Sequence, residues 1–114
     1  MFSLSCSHKY LLYGQPCDMR KSFDALCGIV RSALDRDPLS GEVFVFLNRG
    51  RTHLKLLHWE NGGLVLYYKR LEKGTFATPP AIAGGQPLSW TQLVLMVEGI
   101  TIRKSTQKPR WKCG

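Results

Sequence analysis

Acidic residues are scarce in this sequence. The 114 residues include 8 Asp and Glu against 16 Lys and Arg, a formal net charge of +8. An excess of that size points to polyanionic partners, nucleic acid first and an acidic protein or membrane surface second. Long hydrophobic runs are also missing. The longest aliphatic stretch, Leu93-Val94-Leu95-Met96-Val97, falls far short of the ~18–20 residues a membrane span needs. Residues 1–13 show no basic start, no long apolar stretch and no small-residue cleavage site, which predicts no export and a cytoplasmic location. The 4 cysteines (Cys6, Cys17, Cys27, Cys113) contain no C-x-x-C spacing. That spacing argues against a zinc ribbon, and reduced thiols are expected in the cytoplasm. Cys6 and His8 form at most a pair of metal ligands, so no metal site and no cofactor are expected. Gly84-Gly85 is not followed by Lys-Ser/Thr, so there is no phosphate-cradling loop of that kind.

What is present suits one globular unit, with 44% apolar residues. The positive charge is unevenly placed. Residues 1–48 hold 5 basic and 5 acidic residues, residues 49–98 hold 6 and 3, and residues 99–114 hold 5 and none. The division reads as a domain over 1–102 and a basic, flexible tail over 103–114. The tail serves either solubility or phosphate binding.

The pattern predicts a small α+β domain: an antiparallel β-meander of about four strands, an amphipathic helix before it and a short helix near the C-terminus. Tyr10 to Tyr13 reads as a short strand. Asp18 reads as the N-cap of a helix over 19–35, with Met19, Phe23, Leu26, Val30, Ala33 and Leu34 on its apolar face. Asp37-Pro38 ends it. Val43 to Leu47, His53 to Trp59 and Leu64 to Arg70 read as strands, with Asn61-Gly62 as a hairpin turn. A two-residue turn there pairs Trp59 with Leu64, Leu57 with Leu66, Lys55 with Tyr68 and His53 with Arg70. A similar turn at Arg49-Gly50 groups Val43, Val45 and Leu47 with Leu54, Leu56 and His58, the face expected to pack on the 19–35 helix. Residues 78–88 read as a Pro- and Gly-rich loop. Ser89-x-x-Gln92 is a capping box opening a short helix that Gly99 ends.

Several segments repeat a known order of motifs. They are Pro16-Cys-Asp18-Met19-Arg20-Lys21-Ser-Phe23-Asp24-Ala-Leu26, then Pro38-Leu-Ser40-Gly41-Glu-Val-Phe44-Val45-Phe46-Leu-Asn48-Arg49. Lys55-Leu56-Leu57-His-Trp59 follows, and then Gly63-Leu-Val-Leu-Tyr-Tyr-Lys69-Arg70-Leu71-Glu72-Lys-Gly74-x-Phe76. Over roughly residues 10–102 the chain resembles the TnpB-type accessory protein, the second open reading frame, of the insertion-sequence-66 family of bacterial transposable elements. Two positions depart from that pattern. Gly50 stands where a second Arg often follows Asn-Arg, and Ala77-Thr78-Pro79-Pro80 replaces the usual Trp-Pro. The resemblance implies a non-catalytic helper encoded beside a separate transposase, with that transposase and the element's DNA as partners. Asp18, Met19, Phe23 and Trp59 are the motif residues to which it gives a structural part.

Candidate DNA contacts follow from charge and placement. Arg20 and Lys21 in a first helical turn would grip a phosphate with the exposed amides, or simply be solvated. Arg49 and Arg51 at a hairpin tip would reach a groove or successive phosphates, with Lys55, Lys69, Arg70 and Lys73 on the same hairpin system. Phe44, Phe46, Trp59 and Tyr68 serve either as a stacking platform or as core. Cys17 before a helix is open to a lowered thiol pKa but has no histidine beside it. The 8 carboxylates fall on turns and solvent faces rather than converging as a metal-dependent nuclease requires. The function expected is therefore DNA binding in transposition. A protein–protein adaptor is the alternative, and a small metal-dependent nuclease is the remaining one.

Overall fold

Residues 4–78 and 85–98 are described by the computed structural model of the chain. Along the sequence they form β1 (Tyr10–Tyr13), α1 (Phe23–Ser32), β2 (Val43–Leu47), β3 (His53–Glu60), β4 (Gly63–Arg70), β5 (Gly85–Leu88) and α2 (Trp90–Glu98). The strands make one mostly antiparallel sheet in the order β4-β3-β2-β1-β5. The class is α+β, with one strand more than the sequence pattern predicts.

The β3–β4 hairpin has the expected register throughout, from Glu60 opposite Gly63 to His53 opposite Arg70. Asn61 (φ +50) and Gly62 (φ +83) take the left-handed conformations that a two-residue hairpin turn demands, and Asn and Gly adopt these at least cost. The β2–β3 loop is longer than expected. Leu47 pairs with Leu54, and Asn48 N–H donates to His53 O at 3.2 Å, so four residues turn the chain instead of two. The change is even, so the predicted grouping of Val43, Val45 and Leu47 with Leu54, Leu56 and His58 survives.

The helix that covers each face differs from expectation. Leu26, Cys27 and Val30 of α1 pack on Phe44, Phe46 and Leu57, while the Val43/Val45/Leu47/Leu54/Leu56 face packs on Leu93 and Met96 of α2. Both faces of β2 are fully buried, so alternation alone cannot rank them. A second correction explains the exchange. β1 pairs with β2 in parallel, so β1-α1-β2 is a crossover unit, not part of a meander, and the face α1 covers is set together with that long-range pairing.

The 78–88 stretch, read from sequence as loop, contains β5, which pairs antiparallel with β1. Its Pro87 is tolerated because β5 is an edge strand. Gly85 sits where β5 closes on its neighbours: a Cβ there would lie 2.9 Å from Leu11 Cδ2 and 3.0 Å from Leu34 Cδ2.

Helix α1 is shorter than the 19–35 span. Asp18 does not cap it; the N-cap is Ser22, which makes no side-chain capping bond. The Asp18 carboxylate is committed instead to Arg20, accepting from its backbone N–H at 2.9 Å and from Nη2 at 2.7 Å. Lys21 N–H donates to Asp18 O at 3.1 Å. Residues 18–21 are therefore a separate turn, and Arg20 and Lys21 precede the helix. Phe23 is exposed at the helix start and Ala33 is exposed beyond its end. The apolar stripe is narrower than expected.

Helix α2 has the predicted capping box in both directions. Gln92 N–H donates to Ser89 Oγ at 3.0 Å, and Ser89 N–H donates to Gln92 Oε1 at 2.8 Å. Gly99 and the 103–114 tail lie outside the described residues.

Candidate nucleic-acid interface

The β2–β3 loop is built around Asn48. Its side-chain oxygen accepts the N–H groups of Thr52 (2.9 Å) and His53 (3.0 Å). Its amide nitrogen donates to Thr52 Oγ1 at 3.1 Å, and Arg51 N–H donates to Asn48 O at 3.0 Å. The loop is then tied to residues 71–76, because Leu71 N–H donates to Thr52 O and Phe76 N–H to Arg51 O. Arg51 adopts φ +57, a left-handed conformation uncommon outside Gly, Asn and Asp. Gly50, its neighbour, is not the residue that takes the strain. Arg51 is thus an exposed side chain on backbone whose N–H and C=O are both engaged, and Arg49, also exposed, lies two residues before it.

Strand register brings other cations to this end of the sheet. Arg70 pairs with His53 at the start of β3, and Lys73 follows on the stretch tied to Arg51 and Thr52. The 18–21 turn arrives through Lys55, whose Nζ donates to Met19 O and Lys21 O, both at 2.7 Å. Arg20, Lys21, Arg49, Arg51, Arg70 and Lys73 are all exposed. Arg20 is paired with Asp18 at 2.7 Å and Arg70 with Glu72 at 3.0 Å. The Arg20 guanidinium pulls the Asp18 carboxyl down to about 2, so this pair stays ionised at neutral pH. Among the described residues, Lys21, Arg49, Arg51 and Lys73 make no ion pair.

Two candidates are removed from the exposed set. Lys55 is 5% exposed, and its ammonium lies 4.6 Å from the Tyr68 ring centroid. Lys69 donates to Val97 O at 2.7 Å, a last-turn carbonyl of α2. That helix has no basic residue of its own in its last turn, so Lys69 supplies the cation its dipole favours. The sequence signal for Lys55 is its same-face neighbour Leu57, a large apolar residue that is buried.

The motif and aromatic residues divide. Met19 is half-buried against the α1 layer, and Trp59 is half-buried at the far turn. Phe44 and Phe46 are core, whereas Tyr68 is 52% exposed, beside Lys55 and His53.

A cleft of about 150 Å³ opens at the carboxyl ends of β1 and β2, bordered by Leu12, Tyr13, Pro16, Leu47, Arg49 and Arg51. None of Leu12, Tyr13 or Pro16 stood out in the sequence as a site residue, because only the parallel β1–β2 pairing brings them to the arginine loop. The opposite end of the sheet carries Asp35, Asp37, Glu42 and Glu60, beside the Val43–His58 pair. There Arg36 pairs with Glu42 at 2.9 Å and the exposed Lys9 adjoins Val43, so acids outnumber bases without excluding them. Charge is thus separated along the strand direction.

Among the described residues the groups weighed for catalysis stand apart. Among the described residues no three His, Cys, Asp or Glu side chains come together as metal ligands. Cys17 is buried, and burial pushes its thiol up. This corrects the lowering expected from a following helix. His53 and His58 lie on opposite faces of β3, as the alternation requires.

Comparison with known sequences agrees with the motif order. The "Uncharacterized protein y4jC" of Sinorhizobium fredii (strain NBRC 101917 / NGR234) is 35% identical over 95 residues, covering 83% of this chain and 81% of that protein. The "Uncharacterized protein y4hO" of the same organism is 37% identical over 86 residues, 75% of each chain. No solved structure matches. The sequence pattern of the family described as "IS66 Orf2 like protein" matches residues 8–107. The chain belongs to that family of IS66 Orf2-like proteins.

Proposed function

We propose that the protein is a non-catalytic accessory factor of insertion-sequence transposition that binds the element's DNA through its basic end, alongside the transposase in the cytoplasm. The observation that carries this reading is the gathering of Arg20, Lys21, Arg49, Arg51, Arg70 and Lys73, all exposed, around one immobilised loop. Phosphate contacts need cations held in an array, and a loop tied down at Asn48, Arg51 and Thr52 presents them at reduced entropic cost. The acidic opposite end leaves DNA one side to approach.

The test is a fluorescence-anisotropy titration with element-end DNA and unrelated DNA at several salt concentrations. Affinity should fall with salt, with a log–log slope of about −0.9 per phosphate neutralised. An Arg49→Ala/Arg51→Ala variant should flatten that slope by about 2.

One observation favours a second reading. Asp35, Asp37, Glu42 and Glu60 gather at one end, a surface suited to a basic protein partner. The protein would then be an adaptor docking onto the transposase. No DNA binding at ~100 mM salt, with the transposase retained in a pull-down, would establish the adaptor and sink the first reading. A nuclease would show itself as magnesium-dependent DNA cleavage that is lost on replacing a carboxylate.

A further inference from the structure

The cleft beside the arginine loop has a composition that phosphate binding alone does not call for. Its lining is mostly apolar, with Leu12, Tyr13, Pro16 and Leu47 joined by a few polar groups such as Thr78, and Arg49 and Arg51 stand at its border. A site for bare phosphate has no use for an apolar wall. A ligand that fits both parts has a flat, weakly polar body joined to an anion. The volume, about 150 Å³, is below the ~300 Å³ at which pockets for larger cofactors begin. It suits a single ring system. It lies at the carboxyl ends of β1 and β2, the parallel pair of the sheet.

We infer that this cleft receives the base of one unpaired nucleotide of DNA, with the adjoining phosphate held by Arg49 and Arg51. This rests on the DNA-binding reading and deepens it. A base inside a duplex is stacked on both sides and cannot enter a pocket unless it leaves the helix. The protein therefore favours flaps, bulges and single strands over continuous duplex. Two features of the loop fit this use. Arg51 is held at φ +57 with its N–H bonded to Asn48 O and its C=O to Phe76 N–H, so its side chain leaves from a fixed point of the backbone. Asn48, the amide nearest the arginines in sequence, spends its side-chain oxygen on the N–H groups of Thr52 and His53 and its nitrogen on Thr52 Oγ1 and the His53 ring. It has no free group to read a base edge. Recognition is then by fit and stacking, which every base satisfies, and it tolerates any sequence.

The experiment compares two probes with the full chain. One is a fully paired DNA duplex, and the other is the same duplex carrying a single extrahelical 2-aminopurine. The extrahelical probe should bind about tenfold tighter, within the range of one base stacked on protein, and its emission should change on binding. Replacing the exposed rim residue Gln15 by a bulky ring (Gln15→Trp) should abolish the difference without weakening binding of the paired duplex. Equal affinity for both probes in the unaltered protein overturns this inference and leaves the DNA-binding reading standing. A preference that persists undiminished in Gln15→Trp also overturns it, because the base then sits elsewhere. Failure to bind either probe overturns both readings together.

Discussion

The Lys55 ammonium lies 2.7 Å from the carbonyl oxygen of Met19, a bond that spans 36 positions of sequence. The same nitrogen meets Lys21 O at 2.7 Å and sits over the Tyr68 ring. A central strand thus holds the turn that displays Arg20 and Lys21. Lys55→Met should keep the shape of the stem and leave two carbonyls short of a charged donor. A loss of about 2–4 kcal/mol is expected, since bonds to charged groups contribute about 1.5–3 kcal/mol each and do not add fully. Urea unfolding checks it. The salt slope of DNA binding should barely change, because a buried ammonium releases no counterion from phosphate.

Arg51 predicts a conflict between stability and binding. Its φ of +57 costs an ordinary side chain roughly 1–2 kcal/mol, and glycine avoids most of that. Arg51→Gly should raise the urea midpoint with an unchanged m-value, a gain of about 1 kcal/mol. DNA affinity should fall in the same variant, with a salt slope shallower by about 0.9. A destabilised Arg51→Gly would mean that the side chain, through its 3.4 Å bond to Thr78, contributes more than the strain it imposes.

The reciprocal bonds of Ser89 and Gln92 make these two residues one device. Ser89→Ala should cost about 1 kcal/mol, and Gln92→Ala a similar or smaller amount. The double variant should cost less than the sum, because each single change already loosens the partner. A double-mutant cycle followed by denaturant unfolding measures that coupling.

His58 makes the fold sensitive to mild acid. It is 4% exposed, its ring meets His8 edge-on at a centroid distance of 5.0 Å, and burial pushes its pKa down. Glu60 Oε1, at 3.5 Å, opposes the shift without reversing it. The unfolded chain takes up this proton near pH 6.5 while the folded chain resists it, so stability is fully present above that pH and declines below it. The thermal midpoint should drop between pH 7 and pH 5, and His58→Gln should drop less over the same interval.

What the chain determines locally was legible before any tertiary contact. Asn61-Gly62 sets a turn whose left-handed pair favours those two residues, and the turn length sets every pair of the β3–β4 hairpin. Ser89 and Gln92 are three apart, within reach of each other's backbone in one helical turn, so their box forms as read. The motif order carried the family. The six cations of the basic end were also visible as charge, though not their arrangement.

Tertiary structure decided whatever depends on partners distant in sequence. The parallel β1–β2 pairing and the β5 edge have no local signal, because a four-residue strand is stabilised by its neighbours rather than by its own propensity. Those pairings set which helix covers which face, and they bring Pro16 and Tyr13 against the arginine loop. They also divide the three lysines of this region by role. Lys55 turns inward because its strand is buried and two carbonyls of a distant turn need a donor. Lys69 reaches the end of α2, and Lys73 remains exposed. Charge is a property of the sequence; its availability to a partner depends on burial and hydrogen bonding, which exist only once the chain has folded.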